Sequence, residues 1–196
     1  MPVSSLTFYA QGNLYRTTAE GGDRNGPECL YRGCGNVFKL SPGSDGEWTE
    51  SVLHNFNSTD GSTPYGNVIF DAQGNLYGTT SGAWTPPGYH GNVFELIPGP
   101  NGEWTERILY FFSGDDDLIT AGLTFDSAGN LYGTTWTGGA HAAGSVFKLT
   151  PVADGKWTET TQWQRWVVRE RGRRVRFEGQ FVGHNRRIRL RFRYCL

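Results

Sequence analysis

Apolar and polar positions alternate with a period of two over short runs, and the runs themselves recur. Val68-Ile69-Phe70-Asp71 and Leu76-Tyr77-Gly78-Thr79-Thr80 flank an Ala-Gln-Gly segment. In the run from Asn92 to Ile97, Phe94 and Leu96 share one side while Val93 and Glu95 share the other. A fourth run, Trp104 to Phe111, follows a Pro-Gly turn signal. Alternation over four to eight residues is the mark of half-buried strands, so this stretch predicts four short antiparallel strands. Gly74 suits the tight turn between the first two, because it tolerates a positive φ, and Asp71 can bond the turn backbone.

The same order of runs appears three times. Phe70-Asp71-Ala72-Gln73-Gly74-Asn75-Leu76-Tyr77-Gly78-Thr79-Thr80 is matched by the segments beginning at Phe8 and Phe125. Each is followed by a glycine-rich loop and then by Gly35-Asn36-Val37-Phe38, Gly91-Asn92-Val93-Phe94 or Gly144-Ser145-Val146-Phe147. Each unit ends on Trp-Thr-Glu, at Trp48, Trp104 and Trp157, which lie 56 and 53 residues apart. A tandem repeat of this length with four strands per unit predicts an all-β protein, a β-propeller-like array of four-stranded antiparallel blades. The repeats span about residues 6–66, 67–121 and 122–162, within a repeat domain at 1–162. Three blades fall short of the roughly four to eight of a closed propeller. The array is therefore expected to be incomplete: a fragment, an open stack, or a partial propeller completed by self-association.

The motif set resembles the GloVer-type tandem repeat of bacterial proteins. The resemblance rests on Gly-Asn-Leu-Tyr-Gly-Thr-Thr, Gly-x-Val-Phe-Lys-Leu and Gly-x-Trp-Thr-Glu, and covers about residues 6–162. It implies a propeller-like array and an extracellular or cell-surface location, and it implies no reaction. Arg16 departs from the pattern where the other copies carry glycine, and Tyr9 departs as well.

Composition agrees with short strands and tight turns: 28 glycines, 14% aromatic residues and one Met in 196 residues. No apolar run approaches the roughly 20 residues of a membrane-spanning helix. No signal peptide is visible, which fits a cytoplasmic chain or a start inside a longer gene. The net charge of −1 hides a division, because residues 163–196 hold 11 of the 18 Lys+Arg and only 2 of the 19 Asp+Glu. In this tail Arg187, Arg189, Arg191 and Arg193 alternate with Ile188, Leu190, Phe192 and Tyr194. One reading is a basic arm for nucleic acid or an anionic surface. The other is a frameshifted or disordered segment, since the repeat breaks off in mid-blade.

Groups with chemistry are few. Cys29 and Cys34 flank four residues in the long loop of the first repeat, a spacing that admits a disulfide or free thiols, while zinc would need two further ligands. His54, His90, His141 and His184 show no metal-ligand spacing. Asp115, Asp116 and Asp117, with Asp60 in the matching loop, offer oxygen atoms to calcium or form a solvated acidic loop. No cofactor is implied. Trp84, Tyr89 and Trp136 stand in the variable loops after Thr-Thr, where aromatic rings can stack on sugars or anchor a protein. These features favour a non-enzymatic repeat module that binds carbohydrate or protein. The enzymatic alternative, a propeller hydrolase or lyase with a central-channel site, would require Asp, Glu and His from different blades to converge.

Overall fold

The computed structural model describes residues 5–24, 29–82, 84–85, 88–112, 119, 122–138, 144–163, 167–170 and 175–178. For residues 84–85, 88–89, 161–163, 167–170 and 175–178 it describes backbone pairing alone. Strands β1 (Thr7–Tyr9), β2 (Asn13–Thr18), β3 (Asn36–Pro42) and β4 (Trp48–Asn55) form a first antiparallel meander. The second meander contains β5 (Ile69–Phe70) and β6 (Leu76–Thr80). It continues, after a small hairpin of β7 (Trp84–Thr85) and β8 (Gly88–Tyr89), with β9 (Asn92–Pro98) and β10 (Trp104–Phe111). The third holds β11 (Thr124–Phe125), β12 (Leu131–Thr134), β13 (Val146–Pro151) and β14 (Trp157–Trp163). These are three four-stranded blades in an incomplete array, with no closed sheet among the described residues. A separate hairpin pairs β15 (Val167–Glu170) with β16 (Val175–Glu178). The alternating Arg187–Tyr194 run lies outside the described residues. No helix among the described residues is long and apolar enough to cross a membrane.

The first turn of each blade is built by local hydrogen bonds. Asp71 Oδ1 accepts from the amides of Gln73 and Asn75, both at 2.9 Å, and its Oδ2 accepts from Asn75 Nδ2 at 2.8 Å. Asp126 makes the same set with Ala128 and Asn130. Gly74 and Gly129 take the positive φ that the turn requires, 89° and 80°. The hydrogen bonds hold the Asp126 carboxyl down at about 2, the largest share coming from Asn130. In the first blade the pairing Phe8↔Leu14 matches Phe70↔Leu76, which puts Tyr9 in the place of Asp71. Gln11 and Gly12 turn that chain instead with φ of 60° and 77°. Tyr9 is freed to stack on Phe70 of the next blade, 3.9 Å between ring centroids and 6° from parallel.

Every blade has two apolar faces, as the alternation requires. The face toward the preceding blade (the leading face) carries Leu76, Phe94 and Leu96 in the second blade. The opposite, trailing face carries Tyr77 and Val93. One buried cluster joins Tyr15, Val37 and Phe56 of the first blade to Val68, Leu76, Phe94 and Leu96 of the second. Its counterpart joins Tyr77, Val93, Leu109 and Phe112 to Leu123, Leu131, Phe147 and Leu149. The same ring contact recurs at both junctions, Phe56 against Phe94 at 5.0 Å and Phe112 against Phe147 at 4.8 Å. Fully burying each such side chain contributes roughly 1.5–3 kcal/mol. The buried carboxylate on the second trailing face, Glu95, is satisfied by the Tyr77 hydroxyl at 2.7 Å and by Arg107 Nε at 2.7 Å.

The glycine of Leu-Tyr-Gly-Thr-Thr is required by close approach. Gly78 pairs across strands with Phe94, and a Cβ there would lie 2.4 Å from Phe94 Cζ. Gly133 stands in the same relation to Phe147. The ring lies over the bare backbone and so can face the preceding blade. Gly78→Ala is expected to destabilise the fold by about 1–3 kcal/mol through overpacking. In urea unfolding, Phe94→Leu should cost less in the Gly78→Ala background than alone, and an unchanged midpoint for Gly78→Ala would remove this role from the glycine.

Candidate functional site

A recurrent bulge sets up the junction between the first two blades. On β4 the register jumps between Val37↔His54 and Phe38↔Val52, leaving Leu53 without a partner. β10 and β14 are bulged at the matching place. Strict alternation from Val52 would put His54 on the leading face. The extra residue turns both Leu53 and His54 to the trailing face, toward the second blade. The His54 ring meets Phe56 edge-on at 4.9 Å.

The loop that follows is folded on itself and held against the second blade. Asp60 Oδ1 accepts from the Asn57 amide at 2.8 Å, and its Oδ2 accepts from Asn57 Nδ2 at 2.6 Å. Asn92 Nδ2 donates to the Asp60 carbonyl at 2.6 Å. A Cβ on Gly61 would meet Thr80 Cγ2 at 2.6 Å, so the loop backbone runs close to that strand. Across the junction, Glu106 pairs with Leu96 and shares its leading face.

These elements bring His54 and Asp60 of one blade to Glu106 of the next. His54 Nε2 lies 3.3 Å from Asp60 Oδ2 and 3.8 Å from Glu106 Oε2. All three ligand atoms fall within 4.8 Å of one another. Neither contact is a hydrogen bond, and His54 Nε2 and Glu106 Oε1 are both buried without a hydrogen-bond partner among the described residues. Side-chain exposures are 18% for His54, 17% for Asp60 and 11% for Glu106. Burial first, and the Asp60 charge second, push the Glu106 carboxyl up to about 8. One imidazole nitrogen and two carboxylates form a donor set that suits zinc or a similar divalent ion, or that can share a proton.

The sequence shows no metal-ligand spacing at His54 and places Asp60 in the loop that matches Asp115, Asp116 and Asp117, which lie outside the described residues. Glu106 is a repeat position in the sequence, as Glu50 and Glu159 are. The usable signal was the departure from repetition: His54 stands where the second blade has Tyr110.

The aromatic candidates occupy a different place. Trp136 follows β12 and is 71% exposed. Trp84 and Tyr89 are backbone partners in the register of β7 and β8, in the equivalent loop of the second blade. In the first blade that loop contains Tyr31, 90% exposed, which sequence reasoning passed over. Cys29 and Cys34 are disulfide-bonded with Cα atoms 4.8 Å apart, and both are buried in the first interblade cluster. Leu30, Tyr31 and Arg32 project outward between them. The carbonyl of Cys34 accepts from the Thr63 amide at 2.8 Å, tying this loop to the approach of the second blade. His90 is half-buried, while His141, His184 and Cys195 lie outside the described residues.

The family described as the Gloeobacter/Verrucomicrobia repeat matches residues 1–187. No curated protein matches the chain.

The raised Glu106 carboxyl has a consequence with a definite sign. Between its ordinary value of 4.5 and about 8, the folded chain holds a proton that the unfolded chain has released. Stability from this group is full below pH 4.5 and is lost as pH rises through about 8. The urea midpoint should therefore fall between pH 5 and pH 9, and Glu106→Gln should flatten that slope. Equal slopes in the two proteins would contradict the assignment.

Proposed function

We propose that this chain, which belongs to the Gloeobacter/Verrucomicrobia repeat family, is a non-enzymatic repeat module that holds a carbohydrate or protein ligand outside the cell or at its surface. The observation that carries the reading is the exposure of Trp136 and Tyr31 in equivalent loops. Both loops join the second strand of a blade to the third, so in blades of identical topology they emerge at the same end. The Trp84–Tyr89 hairpin belongs to the corresponding loop of the middle blade. An aromatic ring left in water on a firmly held loop offers an apolar face without an ordering cost at binding. The firmness comes from the buried Cys29–Cys34 bond beneath Tyr31. That bond also supports an exported location, because disulfides persist in oxidising compartments.

A second reading, a hydrolase or lyase, is favoured by one observation, the convergence of His54, Asp60 and Glu106 from two blades. A carboxylic acid kept protonated near neutral pH beside an imidazole is the equipment of acid–base catalysis. Burial weighs against it, since a substrate must reach these atoms and most of each side chain is covered by the stacked blades. Recurrence of the Glu106 position as Glu50 and Glu159 supports a scaffold role.

The binding reading is tested by passing the chain over immobilised bacterial polysaccharides and extracellular proteins. Retention without turnover is expected. Trp136→Ala should weaken it by roughly 2- to 10-fold, the equivalent of one aromatic contact. Undiminished retention by a Trp136→Ala, Tyr31→Ala double variant would contradict the reading. Glycan or peptide cleavage abolished by Glu106→Gln would establish the enzyme instead.

A further inference from the structure

The fold needs a ring where His54 stands, but it does not need an imidazole. At the second junction the same register position holds Tyr110, which pairs with Val93 as His54 pairs with Val37. Tyr110 meets Phe112 at 5.0 Å and 78°, and His54 meets Phe56 at 4.9 Å and 76°. What the imidazole adds is Nε2, turned toward Asp60 and Glu106 and buried without a hydrogen-bond partner among the described residues. Arg107, the next residue along β10, lies on the opposite face and donates to Glu95. Among the described residues, no Lys or Arg forms an ion pair with Asp60 or Glu106. Enclosed carboxylates are stable only when protonated, paired or bound to a metal. The distances decide between these. A hydrogen bond through a shared proton would bring nitrogen and oxygen to about 2.7–3.2 Å. Both contacts of His54 Nε2 are longer, 3.3 Å to Asp60 Oδ2 and 3.8 Å to Glu106 Oε2.

We propose that His54 Nε2, Asp60 Oδ2 and Glu106 Oε2 bind a divalent metal ion of the zinc class, which pins the first blade to the second. Zinc lies about 2.0–2.2 Å from its nitrogen and oxygen ligands, which sets those atoms about 3.3–3.6 Å apart around a tetrahedron. The 3.3 Å separation already fits, and the 3.8 Å one closes by a few tenths of an ångström. All three ligand atoms lie within 4.8 Å of one another. Calcium is a poor match, because it takes about six to eight oxygen ligands. The Asp60 carboxylate is already aimed, since Asn57 donates to both of its oxygens. Hydrogen bonds of this kind fix the orientation of a metal ligand. Three protein ligands leave a tetrahedral ion one position for solvent. His54 and Asp60 come from the first blade and Glu106 from the second, so the ion ties the folded loop to β10.

The test strips the full chain of metal with a chelator and titrates it with zinc chloride by calorimetry. The wild type should take up zinc at this site, and its urea midpoint should rise with zinc concentration. Excess calcium chloride should not displace the zinc. His54→Tyr installs the ring that the second blade uses, so it should keep the far-ultraviolet circular dichroism of the wild type. Its zinc affinity should fall by roughly 100-fold or more, because a ligand itself is lost. Glu106→Gln should lose affinity in the same way, and it carries the test should His54→Tyr fail to fold. A wild-type chain that binds no zinc would overturn the proposal. So would zinc binding undiminished in the folded variants, since the ion would then sit elsewhere on the chain. Neither outcome bears on ligand retention through Trp136 and Tyr31.

Discussion

The structure depends on one contact made twice, an aromatic ring at the end of one blade packed on the phenylalanine of the next. Phe56 meets Phe94, and Phe112 meets Phe147. A single four-stranded blade presents apolar side chains on both faces and cannot cover either by itself. Its second strand gives up a side chain at Gly78 or Gly133 so that the phenylalanine can lie across it. The bulge in the fourth strand is the complementary adjustment, directing two successive residues to the same face. Stacking is thus written into backbone geometry as well as into hydrophobicity.

The same constraint explains where chemistry collects. His54, Asp60 and Glu106 come together because the bulge directs one, a folded loop carries another, and the next blade supplies the third. Enclosure between blades raises the Glu106 carboxyl and leaves its Oε1 without a hydrogen-bond partner among the described residues. The loops that join the second strand of a blade to the third differ in length and sequence between the blades. Tyr31 and Trp136 stand in water on these loops while the strands beneath them repeat.

Much of the fold was legible in the sequence. Period-of-two alternation placed Phe94 and Leu96 opposite Val93 and Glu95, and the structure divides them between its two interblade clusters or faces accordingly. Glycine in the Gln-Gly-Asn-Leu-Tyr turn was legible because only one residue type takes that φ without strain. The His54 cluster was not. Its members lie on two repeats, and counting by twos from Val52 assigns His54 to the wrong face, since a bulge leaves no mark in composition. Tyr31 was not legible for a simpler reason: its exposure depends on which side of a closed loop faces the core.

The blades cohere through the recurrent ring contact rather than through each sheet's own hydrogen bonds. A double-mutant cycle in urea unfolding, combining Phe56→Leu with Phe94→Leu, measures this most directly. The expected coupling is about 0.5–1.5 kcal/mol, the amount an aromatic pair adds beyond burial. Strictly additive losses would contradict it.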